Sequence, residues 1–120
     1  MEYFFDSYAI IEIIDQNKNY IKFKDAEIIT TVLHLAEVYY SLLRNYNEQT
    51  ADYWVNNLNI SFLDITSNIA IRSSKFRHKN KKAKLSYADC IGYLISLENN
   101  MKFITGDKQF ESFKGVEFVK

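Results

Sequence analysis

Four acidic residues stand where short apolar runs end or where helices are expected to begin. They are Asp6, Glu37, Asp89 and Asp107. Carboxylate oxygens that converge on one point bind hard divalent cations, chiefly Mg²⁺ and Mn²⁺, which share their ligands with substrate phosphates. A cation held in this way activates water and stabilises charge on a phosphoryl group during in-line displacement. The chemistry to examine is therefore metal-dependent hydrolysis of a phosphate ester.

Short apolar or β-branched runs alternate with segments of helical periodicity along the chain. Strands are predicted at residues 2–5, 27–31, 59–65, 102–105 and 116–119. Helices are predicted at residues 8–14, 32–46, 48–58 and 66–79 and from residue 86 onward, with a helical turn at 20–24. Ser7 and Ser86 are the expected N-caps. This alternation, with short loops, predicts an α/β fold with a parallel sheet and helices on both faces.

The segment 32–46 has the clearest helical pattern. Its apolar residues gather on one side of a helical wheel, which is expected to face the core: Val32, Leu35, Ala36, Val38, Tyr39, Leu42 and Leu43. Glu37 lies at the boundary of that arc, near Ser41 and Arg44. The helix therefore presents one carboxylate beside its buried face.

The predicted topology brings the four acids to one edge of the sheet. Asp6 and Asp107 close two strands, and parallel strands all end at the same edge, where ligands of open α/β sheets bind. Asp89 opens the helix that runs back across the sheet, and Glu37 lies early in the helix after the second strand. Without a cation, each carboxylate in such a cluster would raise the pKa of the others, and their repulsion would destabilise the fold.

Each acid also has a purely structural explanation. Asp6 could cap the first helix, and Ser86-x-x-Asp89 could be only a capping box. Glu37 could be a solvated residue near Arg44, and Asp107 a turn residue paired with Lys108. The shared edge of the sheet favours a joint function over four separate structural roles.

Composition limits the class of protein. A chain of 120 residues with 48% apolar content is expected to form a single domain, residues 1–120, with one core. No apolar run approaches the ~20 residues of a membrane span. The start MEYFFD lacks the basic residues of an export signal, and the single Cys90 cannot form an internal disulfide. We therefore expect a cytoplasmic protein. His34 and His78 are isolated, and each is interpreted as a residue of the surface or of the basic segment 72–84 rather than as a zinc ligand.

Positive charge is concentrated in one segment, 72–84 (RSSKFRHKNKKAK), which we call the basic ridge. It holds seven of the fifteen Lys and Arg residues and no acid: Arg72, Lys75, Arg77, Lys79, Lys81, Lys82 and Lys84. The rest of the chain then carries eight basic and fifteen acidic residues. This asymmetry points to a polyanionic partner such as nucleic acid, although a solvated helix face has the same composition.

The order and context of the four acids resemble a known family. FFDSYAI, LHLAEVYYSLL, LSYADCIGYLIS and FITGDKQFESFKGVEFV are similar to the four acidic motifs of the PIN-domain nucleases. The resemblance is closest to the VapC group, the toxins of type II toxin–antitoxin pairs. It covers nearly the whole chain, and its most specific part is the phrase TGDKxF around Asp107.

The resemblance implies a three-layer PIN-like fold with a parallel sheet of four or five strands. It implies that Asp6, Glu37, Asp89 and Asp107 bind one or two Mg²⁺ or Mn²⁺ ions and catalyse endonucleolytic cleavage of RNA, giving 5′-phosphate and 3′-hydroxyl ends. Ser7 and Thr105 match hydroxyl positions that support these acids, and the basic ridge gains weight as an RNA-binding surface. An antitoxin partner and a homodimer are also implied.

Bulkier residues, Tyr93 and Leu94, replace the alanines of many relatives in the helix after Asp89. Two other functions remain open at this point. One is a housekeeping RNA-processing nuclease of the same fold, which would lack an adjacent antitoxin reading frame. The other is a non-enzymatic binding module or receiver domain. Asp6 stands alone where a receiver carries paired acids, and Asp64 lacks the context of a phosphoacceptor.

Overall fold

The computed structural model describes residues 2–120. Its five strands are β1 (Tyr3–Phe5), β2 (Ile28–Thr30), β3 (Ile60–Phe62), β4 (Lys102–Thr105) and β5 (Val116–Phe118). They form one sheet in the order β3-β2-β1-β4-β5, and every neighbouring pair is parallel. The predicted α/β fold and parallel sheet are therefore confirmed, with five strands.

Five helices connect the strands: α1 (Ser7–Ile14), α2 (Val32–Asn45), α3 (Glu48–Asn57), α4 (Ser67–Lys79) and α5 (Tyr87–Glu98). Short 3₁₀ segments occur at Lys18–Phe23, Lys81–Ala83 and Lys108–Phe110. The first covers the predicted helical turn, whereas the other two were not predicted because three residues carry no periodic signal. Within residues 2–120, no helix has both the length and the apolar character needed to cross a membrane.

Helix α1 begins one residue earlier than predicted, and Ser7 is not its N-cap. Asp6 occupies the cap position, but its side chain makes no capping hydrogen bond. The Ser7 hydroxyl instead donates to Glu37 Oε1 at 2.5 Å. The reason is tertiary, since an acceptor on α2 lies within reach of a hydroxyl that local rules would assign to the helix end.

Two apolar layers cover the two faces of the sheet. Successive residues of a strand point to opposite faces. Phe5 accordingly packs with α1, α2 and α3, whereas Phe4 packs with α4, α5 and Phe103. The sheet is therefore buried on both sides, and its exposed functional groups must come from the strand ends and loops.

The predicted apolar face of α2 is only partly buried. Val38 and Leu42 are buried, but Val32 is 61% exposed and Leu43 39% exposed. The apolar arc is wider than the stripe that the sheet and the neighbouring helices cover. Tyr39 and Trp54 are half-buried against the α1–α3 layer. Tyr40 is 63% exposed.

Candidate active site

The strand order reverses between β1 and β4, so a cleft opens at the carboxyl ends of these two strands. Asp6 follows β1 directly, and Asp107 follows β4 after Gly106. A cavity of about 390 Å³ lies there. It is lined by all four predicted acids and by Ser7: Asp6, Ser7, Glu37, Asp89 and Asp107. Four segments far apart in sequence thus place their carboxylates around one space, which we call the acidic cleft.

Asp6 is the most enclosed of these acids, with only 3% of its surface exposed. The buried Thr105 hydroxyl donates to Asp6 Oδ2 at 2.8 Å and accepts from the Asp107 amide at 3.1 Å. Burial and, to a smaller extent, the nearby charge of Asp89 raise the pKa of Asp6 to about 7, although the Thr105 hydrogen bond lowers it. Ionised Asp6 is therefore costly in the protein alone, and Thr105 fixes its orientation.

Asp89 does form the predicted capping box, and it also lines the acidic cleft. Its Oδ2 accepts from the Ser86 amide at 2.8 Å, and its own amide donates to the Ser86 hydroxyl at 3.0 Å. Burial raises the pKa of Asp89, although the hydrogen bonds with Ser86 partly offset this. The capping explanation and the functional one are therefore compatible, because one carboxylate oxygen remains free of the box.

The other two acids are more accessible. Glu37 is exposed and accepts from Ser7, which holds its carboxylate toward the cleft side of α2. Asp107 Oδ1 accepts from the Gln109 amide at 3.0 Å and so caps the 3₁₀ turn after β4. Among residues 2–120, the lysine and arginine side chains form one ion pair with a carboxylate, Arg72–Glu98, so the expected alternative pair of Asp107 with Lys108 does not form.

His34 is fully buried, which corrects its interpretation as a surface residue. Its Nε2 lies 3.0 Å from the Ala88 carbonyl oxygen and must donate to it, so Nδ1 accepts from the Thr31 hydroxyl at 2.6 Å. Burial lowers the pKa of His34 to about 4. His34 is therefore neutral at pH 7 and does not offset the charge of Asp6, 3.9 Å away. Gly92 permits this position, because a Cβ there would lie 2.8 Å from Nε2.

Four further residues line the cleft and were not predicted as site residues: Tyr8, Gly106, Lys108 and Lys120. The Lys120 ammonium donates to the Gly106 carbonyl oxygen at 3.4 Å and lies 5.6 Å from the centre of the Tyr8 ring. Tyr8 packs so closely on Gly106 that a Cβ there would meet the ring. Lys108 was visible in the TGDKxF phrase, but no local signal marks Tyr8 or Lys120.

A sequence model of the PIN domain matches residues 3–116, which is nearly the whole chain. The chain belongs to the PIN-domain family. The resemblance inferred from the four acidic motifs is thereby confirmed. No curated protein sequence matches this PIN chain significantly.

Solved structures with the same fold include toxins and toxin–antitoxin complexes. Mycobacterium tuberculosis VapC20, a sarcin–ricin loop cleaving toxin, superposes with a TM-score of 0.82 at 11% identity, covering 99% of this chain and 100% of that one. A toxin–antitoxin complex from Klebsiella pneumoniae gives 0.74 at 20% identity, covering 98% and 96%. VapBC2 from Rickettsia felis, bound to a promoter DNA fragment, gives 0.75 at 14% identity over both full chains.

The donor set of this PIN chain fits a hard divalent cation. All its acidic donors are oxygens, and among residues 2–120 no lysine or arginine forms an ion pair with the buried Asp6 carboxylate. As the side chains of residues 2–120 stand, no three acidic, histidine or cysteine groups are close enough to share one ion. Each of the four carboxylates accepts a hydrogen bond from a donor beside it, and binding of one ion by several of them requires the carboxylates to move closer together.

The basic ridge does not form one continuous surface. Arg72 lies 3.3 Å from Glu98 and pairs with it at the C-terminal end of α5. By contrast, Arg77, Lys81 and Lys84 line a second cavity of about 320 Å³ beside the N-terminal end of α5. His78 also lines it, in agreement with its predicted ridge position. The end of the ridge nearer the acidic cleft is therefore the better placed for a shared substrate.

Proposed function

We propose that this PIN-domain protein is a Mg²⁺- or Mn²⁺-dependent endoribonuclease and the toxin of a type II toxin–antitoxin pair. The observation that carries the proposal is the acidic cleft, where Asp6, Glu37, Asp89 and Asp107 line one cavity at the switch point of the sheet. The activity named for the neighbour VapC20 supports RNA as the substrate.

The residues of the acidic cleft have three different roles in the proposed reaction: cation binding, orientation of the carboxylates and phosphate binding. A bound divalent cation supplies an activated water and stabilises charge on the phosphoryl group. Asp6, Glu37, Asp89 and Asp107 hold it, and Thr105 and Ser7 fix the orientation of Asp6 and Glu37 by hydrogen bonds. Lys108 and Lys120, on the rim of the cavity, bind the non-bridging oxygens of the scissile phosphate.

Cleavage of RNA tests the proposal directly. We expect the purified protein to cut total RNA with Mg²⁺ or Mn²⁺ and to stop when EDTA is added. Mapping of the ends should find 5′-phosphates and 3′-hydroxyls. Cleavage that persists in EDTA, or that leaves 2′,3′-cyclic phosphates, would exclude a metal-dependent mechanism of this kind.

The basic ridge is proposed to hold the RNA backbone without reading its sequence. Replacing Lys79, Lys81 and Lys82 by glutamine should weaken RNA binding and lower the slope of log Kd against log salt by about 2, since each phosphate contact contributes ~0.7 on a single strand. The matched control replaces Lys18, Lys22 and Lys24 by glutamine. These lysines are exposed, and they line neither the acidic cleft nor the cavity beside the basic ridge. Equal slopes in the two triple variants would remove the ridge from the binding surface.

The partially uncovered face of α2 is proposed as the antitoxin-binding surface. Val32, Leu35, Ala36, Tyr39, Tyr40, Leu43 and Val55 surround a shallow cavity of about 480 Å³. An exposed apolar patch of this kind marks a protein interface more often than chance. The toxin–antitoxin complexes among the structural neighbours support an antitoxin as its occupant, with a homodimer as the other occupant implied by the resemblance.

A substitution on this face distinguishes binding of an antitoxin from binding of a second copy of the chain. Leu43→Asp should abolish co-purification with the protein encoded by an adjacent small reading frame, while RNA cleavage stays intact. The oligomeric state of the protein purified without the antitoxin should not change. A shift from dimer to monomer on substitution would instead assign the face to self-association. The absence of any adjacent small reading frame would favour a housekeeping nuclease instead.

A further inference from the structure

The second cavity lies between the end of α4, the 3₁₀ segment Lys81–Ala83 and the first turn of α5. It is lined by Ser74, Arg77, His78, Lys81, Lys84 and Tyr87, with Leu85 at its base. We call it the basic cavity. Its volume of about 320 Å³ is similar to that of the acidic cleft, and it would accommodate a nucleotide rather than a lone ion.

The charges around the basic cavity all favour an anion. Arg77, Lys81 and Lys84 are exposed cations, and the lining residues include no carboxylate. Lys84 adopts a left-handed backbone conformation, with φ of 54°, where the chain turns into α5. This conformation favours glycine, so the surrounding structure holds a lysine there at a conformational cost. A concave group of three cations binds phosphate more strongly than the same charges spread over a helix face.

Tyr87 supplies an aromatic surface at the rim of this cavity. Arg77 Nε donates to the Leu85 carbonyl oxygen at 2.8 Å, and its guanidinium carbon lies 4.4 Å from the centre of the Tyr87 ring. One face of the ring is therefore fixed against a cation. The side chain is still 51% exposed, which leaves its surface available for stacking by a base.

The basic cavity and the acidic cleft lie on two sides of the same helix start. Tyr87 and Asp89 are two residues apart in α5, so their side chains leave the helix roughly 200° apart while separated by only about 3 Å along its axis. A strand that passes over the first turn of α5 would reach both spaces. Its phosphates would then lie at the positive end of the helix dipole.

We propose that the basic cavity is a nucleotide subsite for single-stranded RNA, next to the cleavage site. Arg77, Lys81 and Lys84 bind a phosphate, and Tyr87 stacks on an unpaired base. This inference rests on the proposed RNA cleavage and adds to it the residues that hold one nucleotide beside the cleavage site. Stacking on Tyr87 requires an RNA base that is neither paired nor stacked in a duplex, so single strands and loops bind in preference to duplexes.

Site-specific fluorescence tests the subsite. The probe is a series of single-stranded oligoribonucleotides with 2-aminopurine at successive positions, mixed with the full chain in EDTA so that no cleavage occurs. The wild-type protein should quench one or two positions. Tyr87→Ala should remove that quenching and weaken binding about tenfold, whereas Tyr87→Phe should retain both. Tyr53→Ala is the matched control, because Tyr53 is an equally exposed tyrosine on α3 that lines neither cavity.

The outcomes separate the subsite from the cleavage reaction. Equal quenching and equal Kd for wild type and Tyr87→Ala, or no quenching at any position, would overturn the subsite. In Mg²⁺, Tyr87→Ala should raise KM for a single strand with a smaller change in kcat, and a duplex of the same sequence should show no such dependence. If quenching depends on Tyr87 but the wild-type protein cuts no RNA, the proposed nuclease activity fails while the subsite stands.

Discussion

Replacing Asp6 by asparagine should lower the rate of Mg²⁺-dependent RNA cleavage by at least ~10³-fold, because a carboxylate that holds a catalytic cation accounts for several kcal/mol of transition-state stabilisation. The fold should survive, since the amide oxygen can still accept from Thr105. Initial rates on a defined RNA, with circular dichroism as a check of folding, measure the effect.

Asp64→Asn is the control for this experiment. Asp64 also follows a strand, but it is exposed and does not line the acidic cleft. The Asp64→Asn variant should therefore cleave RNA at the wild-type rate. Asp89→Asn should behave like Asp6→Asn, because its amide oxygen can preserve the capping box with Ser86. Retained cleavage in both the Asp6 and the Asp89 variants would contradict the assignment of the acidic cleft.

The same substitution at Asp6 should stabilise the metal-free protein at high pH. The pKa of Asp6 rises from 3.8 to about 7 on folding, chiefly through burial. A group with a raised pKa in the folded state contributes stability that is present below its unfolded pKa and is lost as pH rises through its folded pKa. The difference between the two values corresponds to at most about 4 kcal/mol, lost between about pH 4 and 7.

His34 has the opposite effect on the pH dependence of the free energy of unfolding, so its contribution must be distinguished from that of Asp6. Its pKa falls from 6.5 to about 4 on folding, so its contribution is lost as pH falls from 6.5 toward 4. The two effects oppose each other in the wild-type protein over that interval, and the raised pKa of Asp89 acts in the same direction as that of Asp6. The wild-type profile alone therefore does not isolate the contribution of Asp6. The informative quantity is therefore the difference between Asp6→Asn and wild type.

Urea denaturation in EDTA at a series of pH values measures that difference. Relative to pH 4, Asp6→Asn should gain up to about 4 kcal/mol over wild type by pH 8. Adding Mn²⁺ should raise the stability of wild type at pH 8 and leave Asp6→Asn nearly unchanged. Parallel profiles of the two proteins between pH 4 and 8 would show that Asp6 is not held at a raised pKa.

Local patterns in the sequence predicted much of the site's framework. The apolar run before Asp6 and the run before Gly106 and Asp107 are both strands, β1 and β4. Ser86 and Asp89 form the predicted capping box at the start of α5. These features depend on residues close together in the chain, and parallel topology then requires the strand ends to share an edge. For this reason four distant acids could be assigned to one cleft before any coordinates.

Other features depended on contacts between distant segments. Ser7 bonds to Glu37 instead of capping α1, and His34 lies buried between Thr31 and Ala88. Neither partner is visible in a short window of sequence. The apolar arc of α2 was correctly recognised, but its periodicity could not show which part the neighbouring helices leave uncovered.

The sequence by itself determined the strands, most helix limits and the edge of the sheet to which the acids belong, because these follow from periodicity, capping and the direction of parallel strands. Only the tertiary structure decided the state of those acids. The burial of Asp6, its hydrogen bond from Thr105 and the two lysines that line the same cleft arise where separate segments meet. A pKa depends on the solvent and charges around a group in three dimensions, and a linear sequence does not specify these.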